Sequence, residues 1–181
     1  AGLAAVRACY QAGGIRAPFA TAVLLFNNLL LPRGLADPTE FLRDADRICE
    51  ETIRRYPGGS LIYVMASHSA RKQCNIELGI RHMQQALDNC KHLAVKPLIY
   101  QYELGNCYCM QLDWGQAAAC FEPLVGEERL QVRTVCAIQL AACYIMLGRG
   151  DDAHALLTRA IAFPGRKSHF DPVIKRQAKR Y

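Results

Sequence analysis

A small residue recurs along this chain at a spacing that a repeated two-helix unit explains. Ala45, Gly79, Ala117 and Ala153 follow one another at intervals of 34, 38 and 36 residues. Each stands in an apolar stretch of helical periodicity, preceded by a second such stretch and a short turn. The middle unit is the most complete, reading Leu104-Gly105, then Tyr108, Ala117, Phe121 and Leu124. The unit before it carries Ala66-Ser67, Ala70, Gly79, Met83 and Ala86 at matching offsets. The unit after it carries Leu140-Ala141, Tyr144, Ala153, Leu157 and Ala160. Antiparallel helices that cross closely need a small side chain where their backbones approach. Gly105 is therefore expected to face Ala117, with Tyr108 and Phe121 filling the space on either side. No such pair buries its apolar stripe alone, so each needs its neighbours.

Leucine-glycine-x2-tyrosine followed by alanine-x3-phenylalanine is the spacing of a tetratricopeptide repeat. It predicts an all-α fold, an α-solenoid of antiparallel helix pairs. The signature positions are Gly79, Leu104, Gly105, Tyr108, Ala117, Phe121, Tyr144 and Ala153. Gly and Pro set the helix limits. Gly13-Gly14 parts an N-terminal helix from one running from near Pro18 to Leu31, and Asp37 is expected to cap a helix from Pro38 to Tyr56. After Pro57-Gly58-Gly59 a helix begins at Ser60, breaks at Cys74-Asn75 and is followed by Ile76 to Asn89. Two further pairs are predicted: Pro97 to Leu112 with Trp114 onward, and Leu130 to Leu147 with Asp151 to Phe163. Pro123 should kink or stop its helix near Glu122. The resulting organisation is a degenerate first repeat with N-terminal helices over 1–59, three helix pairs over 60–168, and the start of a basic helix over 169–181. That helix-like ending predicts an excerpt of a longer chain.

Composition removes several alternatives. With 51% hydrophobic and 21% charged residues among 181, the chain has the makings of a packed core, not of a disordered tail. Its longest uncharged run, Ala17 to Pro32, has 16 residues against the roughly 20 that a membrane span needs. It reads as a buried helix. Of the net charge of +6, +5 comes from the last 17 residues, leaving the rest almost neutral. Nine cysteines, an odd number without a CxxC pair, lie mostly in apolar helical stretches. They predict a reducing compartment and a packing role.

Catalytic and metal chemistry find little support. Cys107 and Cys109 are two apart, about 200° around a helix, so they cannot share one tetrahedral zinc with Cys90 or His92. Ser67-His68-Ser69 lacks the strand-turn-helix setting of a nucleophile elbow. No Gly-rich stretch is followed by the Gly-Lys-Ser/Thr of a phosphate loop. The chain is therefore expected to be no enzyme, with no cofactor, no metal and no small-molecule substrate.

Protein or peptide binding is the favoured function. First helices of the repeats would present Val64, His68, Arg71 and Lys72, then Tyr102, Asn106, Cys109 and Met110, then Ile138, Ala142, Ile145 and Met146. This apolar groove with one polar end suits a partner's amphipathic helix, or C-terminal helices of the same longer chain. A carboxylate clamp of the chaperone-binding kind is not expected. Val64 and His68 stand where that subclass has lysine and asparagine, and Val135 and Gln139 stand at its later basic positions. The rival is contact with nucleic acid or an anionic membrane through Arg166, Lys167, Lys175, Arg176, Lys179 and Arg180. Only Phe170 and Tyr181 offer aromatic faces there, which disfavours nucleic acid.

Three stretches resemble the tetratricopeptide repeat protein 39 family, whose fungal relatives are the inclusion body clearance proteins. They are Arg55-Tyr56-Pro57-Gly58-Gly59-Ser60-Leu61, the Gln111-Leu112-Asp113-Trp114 turn, and the ending from Phe170 to Lys179-Arg180-Tyr181. Gly13-Gly14 with Arg16-Ala17-Pro18 fits the same pattern. The family's "KGN" turn appears here as Gln73-Cys74-Asn75. The resemblance spans nearly the whole chain and implies a scaffold or adaptor without catalytic residues. It also implies the cytoplasm, with the nucleus and the mitochondrial or lipid-droplet surface as further places, and a link to lipid homeostasis.

Overall fold

The computed structural model describes residues 2–30, 39–93, 97–128, 130, 132–161 and 163. The predicted Asp37 cap, the joint from Leu31 to Pro38 and the basic segment 169–181, with Arg166 and Lys167, lie outside the described residues. Among those described there are nine helices: α1 (Gly2–Ala12), α2 (Ala17–Leu29), α3 (Thr39–Arg55), α4 (Ser60–Lys72), α5 (Ile76–Asp88), α6 (Leu98–Met110), α7 (Trp114–Gly126), α8 (Arg133–Met146) and α9 (Gly150–Ile161). From α1 to α5, and again from α6 to α9, each helix packs on the next, in keeping with an all-α array of tetratricopeptide-like pairs. The chain forms two compact units, Ala1–Ala94 and Val95–Tyr181.

Three turns share one hydrogen-bond pattern. Cys74, Leu112 and Gly148 all take the left-handed conformation, at φ of 59°, 63° and 74°. One residue on, the amides of Asn75, Asp113 and Arg149 donate to the carbonyls of Ala70, Tyr108 and Tyr144 at 2.9, 3.0 and 2.8 Å. This is the six-to-one bond of a Schellman helix end. The side chains of Asn75 and Asp113 then cap the next helix, accepting from the amides of Leu78 and Gln116. Helix α6 consequently ends at Met110 and not at Leu112, because a left-handed residue cannot continue a right-handed helix.

Of the two outcomes expected at Pro123, a kink or a stop, helix α7 does not show the stop. It passes through Pro123 and ends at Gly126. The amide missing from Pro123 would have served the carbonyl of Ala119, four residues earlier. Ala119 is exposed, so water can serve that carbonyl instead. Helix α8 starts at Arg133, later than the Leu130 its apolar pattern suggested.

In the first unit, buried Leu24, Leu25 and Leu29 of α2 meet Ala45, Ile48 and Cys49 of α3, with Ile62 and Ala66 of α4. One polar knot ties this core at its edge. Arg7 of α1 holds Asp44 of α3 by two hydrogen bonds, at 3.1 and 2.7 Å. Arg47 donates to the same carboxylate at 2.6 Å, and buried Asn28 of α2 donates at 2.9 Å. Those donors, Arg7 foremost, hold the Asp44 carboxyl well below the usual carboxylate range. Its contribution is therefore complete above about pH 4, the ordinary unfolded value, and is lost as pH falls below it. Because Arg7 and Arg47 are both half in water, the knot contributes only about 1 kcal/mol. Asp44→Asn should lower stability by that amount at neutral pH, measured by urea unfolding. The gap between the two proteins should close below about pH 4; a gap that stays constant to about pH 2 would contradict this assignment.

Candidate functional site

The second unit places the repeat signature around one ring. Phe121 is fully buried, among Leu124, Cys136, Leu140 and Ala153. Gly105 faces this ring: a Cβ at Gly105 would lie 2.6 Å from Phe121 Cε1 and 2.7 Å from Cζ. Leu104 and Ala117 are buried in the same unit, and Tyr108 is half-buried against the core. In the first unit Gly79 is buried, with its closest neighbour Arg71 Cγ at 3.2 Å from an added Cβ.

The proposed contact residues separate by unit. On α4, Val64 is only 6% exposed, so it packs and presents no contact surface. Arg71 also departs from expectation. Its stem lies against Gly79 of α5, and its guanidinium donates to Nδ1 of half-buried His68 at 2.7 Å. Lys72 alone of the four is exposed. Beside them Ser69 Oγ donates to Asp46 at 2.6 Å, and Ser67 is fully buried. These serines lie inside the unit and offer no reactive surface.

The eight candidates of the second unit form a more coherent set. Tyr102, Asn106, Cys109 and Met110 on α6 are matched 36 residues later by Ile138, Ala142, Ile145 and Met146 on α8. The first of each series, Tyr102 and Ile138, are half-buried, and Tyr102 tilts against Phe121 with ring centres 6.0 Å apart. Exposure rises along each helix: Met110, Ile145 and Met146 are 50%, 54% and 58% exposed. Cys109 links the two helices, its Sγ 3.9 Å from that of Cys143. Leu147 and Ile99 extend the exposed apolar surface of the same helices, which the repeat offset alone did not identify.

Most of the cysteines are buried and pack, Cys74 in its turn being exposed. Burial pushes the thiols of Cys49, Cys109 and Cys136 up to about 12 and that of Cys120 up to about 11, so they stay protonated near neutral pH. Among the described residues no three potential ligands gather around a metal position.

A polar recess between α7, α8 and α9 has no signature in the repeat pattern. It holds about 500 Å³ and is lined by Glu122, Arg133, Tyr144, Arg149, Asp152 and Arg159. Its groups largely satisfy one another. Tyr144 donates to Glu122 at 3.1 Å, and Arg149 lies 4.1 Å over the Tyr144 ring while donating to Asp152 at 2.8 Å. Arg133 donates to the Val125 carbonyl at 2.7 Å and covers the Phe163 ring. Tyr144 thus has a second role beside its repeat position, for which the nearby Arg149 is the only sequence signal.

No helix among the described residues is long and apolar enough to cross a membrane. The family model described as Iml2/Tetratricopeptide repeat protein 39 matches residues 1–178. That match takes in both units and all three Schellman turns, and this chain belongs to the Iml2/Tetratricopeptide repeat protein 39 family.

Proposed function

We propose that the chain is a non-catalytic protein-interaction scaffold whose α6–α8 surface holds a segment of a protein partner. The observation that carries this reading is the recurrence of an exposed methionine at equivalent repeat positions, Met110 and Met146, with exposed Ile145 beside the second. Methionine adapts its unbranched side chain to varied apolar guests, and such patches on soluble surfaces mark contact sites. Buried thiols that stay protonated suit a reducing compartment, and we place the scaffold in the cytoplasm.

A photo-crosslinking amino acid at Met146 of the full chain tests the surface in cells. Discrete protein adducts are expected, and Met110→Asp or Ile145→Asp should remove them. Both side chains stand half in water, so these variants should keep the fold. Adducts that persist in both variants would overturn the assignment, as would crosslinks that form only within the chain itself.

A further inference from the structure

The first unit carries an apolar groove that contains none of the proposed contact residues. Pro18, Ala22 and Leu25 of α2 line one side, Leu61 and Met65 of α4 the other, and Tyr56 stands just past the end of α3. The cavity holds about 270 Å³. Its two threonine hydroxyls are already committed: Thr21 donates to the Ala17 carbonyl at 2.9 Å and Thr52 to the Ile48 carbonyl at 2.7 Å. A guest meets hydrocarbon there and finds few hydrogen-bond partners.

Apolar exposure continues along α2 beyond the groove. Phe19 and Phe26, 77% and 52% exposed, stand seven residues apart, which is two turns and about 10 Å. Ala22, between them in helical register, also lines the groove. The opposite face of α2 is buried through Ala17, Ala20 and Leu24. A helix apolar on both faces is ordinarily covered on both. Two turns of exposed stripe beside an apolar trench match a helix that anchors through positions i, i+3 or i+4, and i+7.

Charge specifies the other half of that helix. Arg16 stands immediately before α2, and Arg55 ends α3. The fold brings them to one end: Arg55 borders a small cleft with Ala17, Thr21 and Tyr56, and its Nη1 lies 3.8 Å from where a Cβ on Gly13 would be. Both are exposed, and among the described residues neither makes an ion pair. Glu51, which borders the same cleft, is engaged by Tyr10 and Arg47.

We propose that this groove binds an amphipathic helix of a protein partner, its apolar face on Ala22, Leu61 and Phe19 and its acidic residues on Arg16 and Arg55. A flat lipid surface would engage Phe19 and Phe26 but leave the trench beside Leu25 unfilled. This binding is separate from that of the α6–α8 surface, and loss of either leaves the other to be measured.

The test is selection from a phage-displayed library of random peptides, each about four helical turns long, on the full chain, followed by fluorescence anisotropy of synthetic winners. Winners should carry apolar residues at helical spacing and an excess of Asp and Glu. Their affinity should fall about tenfold or more for Leu61→Glu and for Phe19→Asp, and several-fold for Arg16→Glu with Arg55→Glu. Each variant is first required to keep the wild-type thermal midpoint. Phe19, mostly in water, keeps the test decisive if Leu61→Glu fails to fold. Winners without that pattern, a basic bias, unchanged affinity for folded variants, or no winners would overturn the proposal. So would sedimentation with phosphatidylcholine–phosphatidylserine vesicles that Phe19→Asp abolishes while peptide binding survives.

Discussion

Replacing Phe121 by alanine is expected to destabilise the Val95–Tyr181 unit by about 3–5 kcal/mol. The ring is fully buried, abuts Gly105 and Tyr102 of α6, and belongs to a core that also draws on α8 and α9. Truncation removes that burial and leaves a cavity that little can refill. Gly105, against the ring's edge, has no side chain to move inward, and Tyr102 tilts against the ring with centres 6.0 Å apart. Trp114, the chain's only tryptophan, packs partly against the same core, so its fluorescence reports this unit selectively during urea unfolding. A loss below about 1 kcal/mol would mean that the site collapses around the missing ring, contrary to the close packing on every side of it.

The repeat was legible because its cause is local and recurs. Each turn needs one left-handed residue and one cap, and each crossing needs a small residue, so alignment of the units exposes them. Even Cys74, where the family pattern has glycine, takes the left-handed conformation that the turn requires. Contacts between unlike elements left no such trace. Nothing in the sequence pairs Arg7 with Asp44, 37 residues apart, and Asn28 reads as a blemish in an uncharged run, whereas it donates to that carboxylate. Register alone places Arg71 on the contact surface, whereas its stem follows the opening left by Gly79. Candidates on α6 and α8 share one 36-residue offset, and Met110, Ile145 and Met146 among them are exposed. The α2 groove lies between α2 and α4, which the repeat alignment does not pair, so periodicity could not reveal it.

Two buried glycines, one on the second helix of its pair and one on the first, should respond differently to the same substitution. Gly105→Ala adds a methyl 2.6 Å from a fully buried ring, and the overpacking costs about 1–3 kcal/mol. The gain in helix propensity, about 0.5–1 kcal/mol, does not offset it. Gly105→Leu should lose more, since a longer side chain meets the same ring. In a Phe121→Leu background the methyl enters space the ring has vacated, so Gly105→Ala should there be neutral or stabilising. The coupling between the two sites is then about 1–3 kcal/mol, read from the same Trp114 transition. At Gly79 an added Cβ meets first the Cγ of Arg71, at 3.2 Å, on a flexible stem that can shift. Propensity should therefore decide the sign, and Gly79→Ala should change stability by less than about 0.5 kcal/mol or raise it. Equal losses for Gly105→Ala with and without the Phe121 ring would show that the glycine answers some other constraint. Zero coupling with Phe121, in particular, would leave the leucine-glycine-x2-tyrosine signature without a packing cause, because the ring is what a side chain at Gly105 meets first.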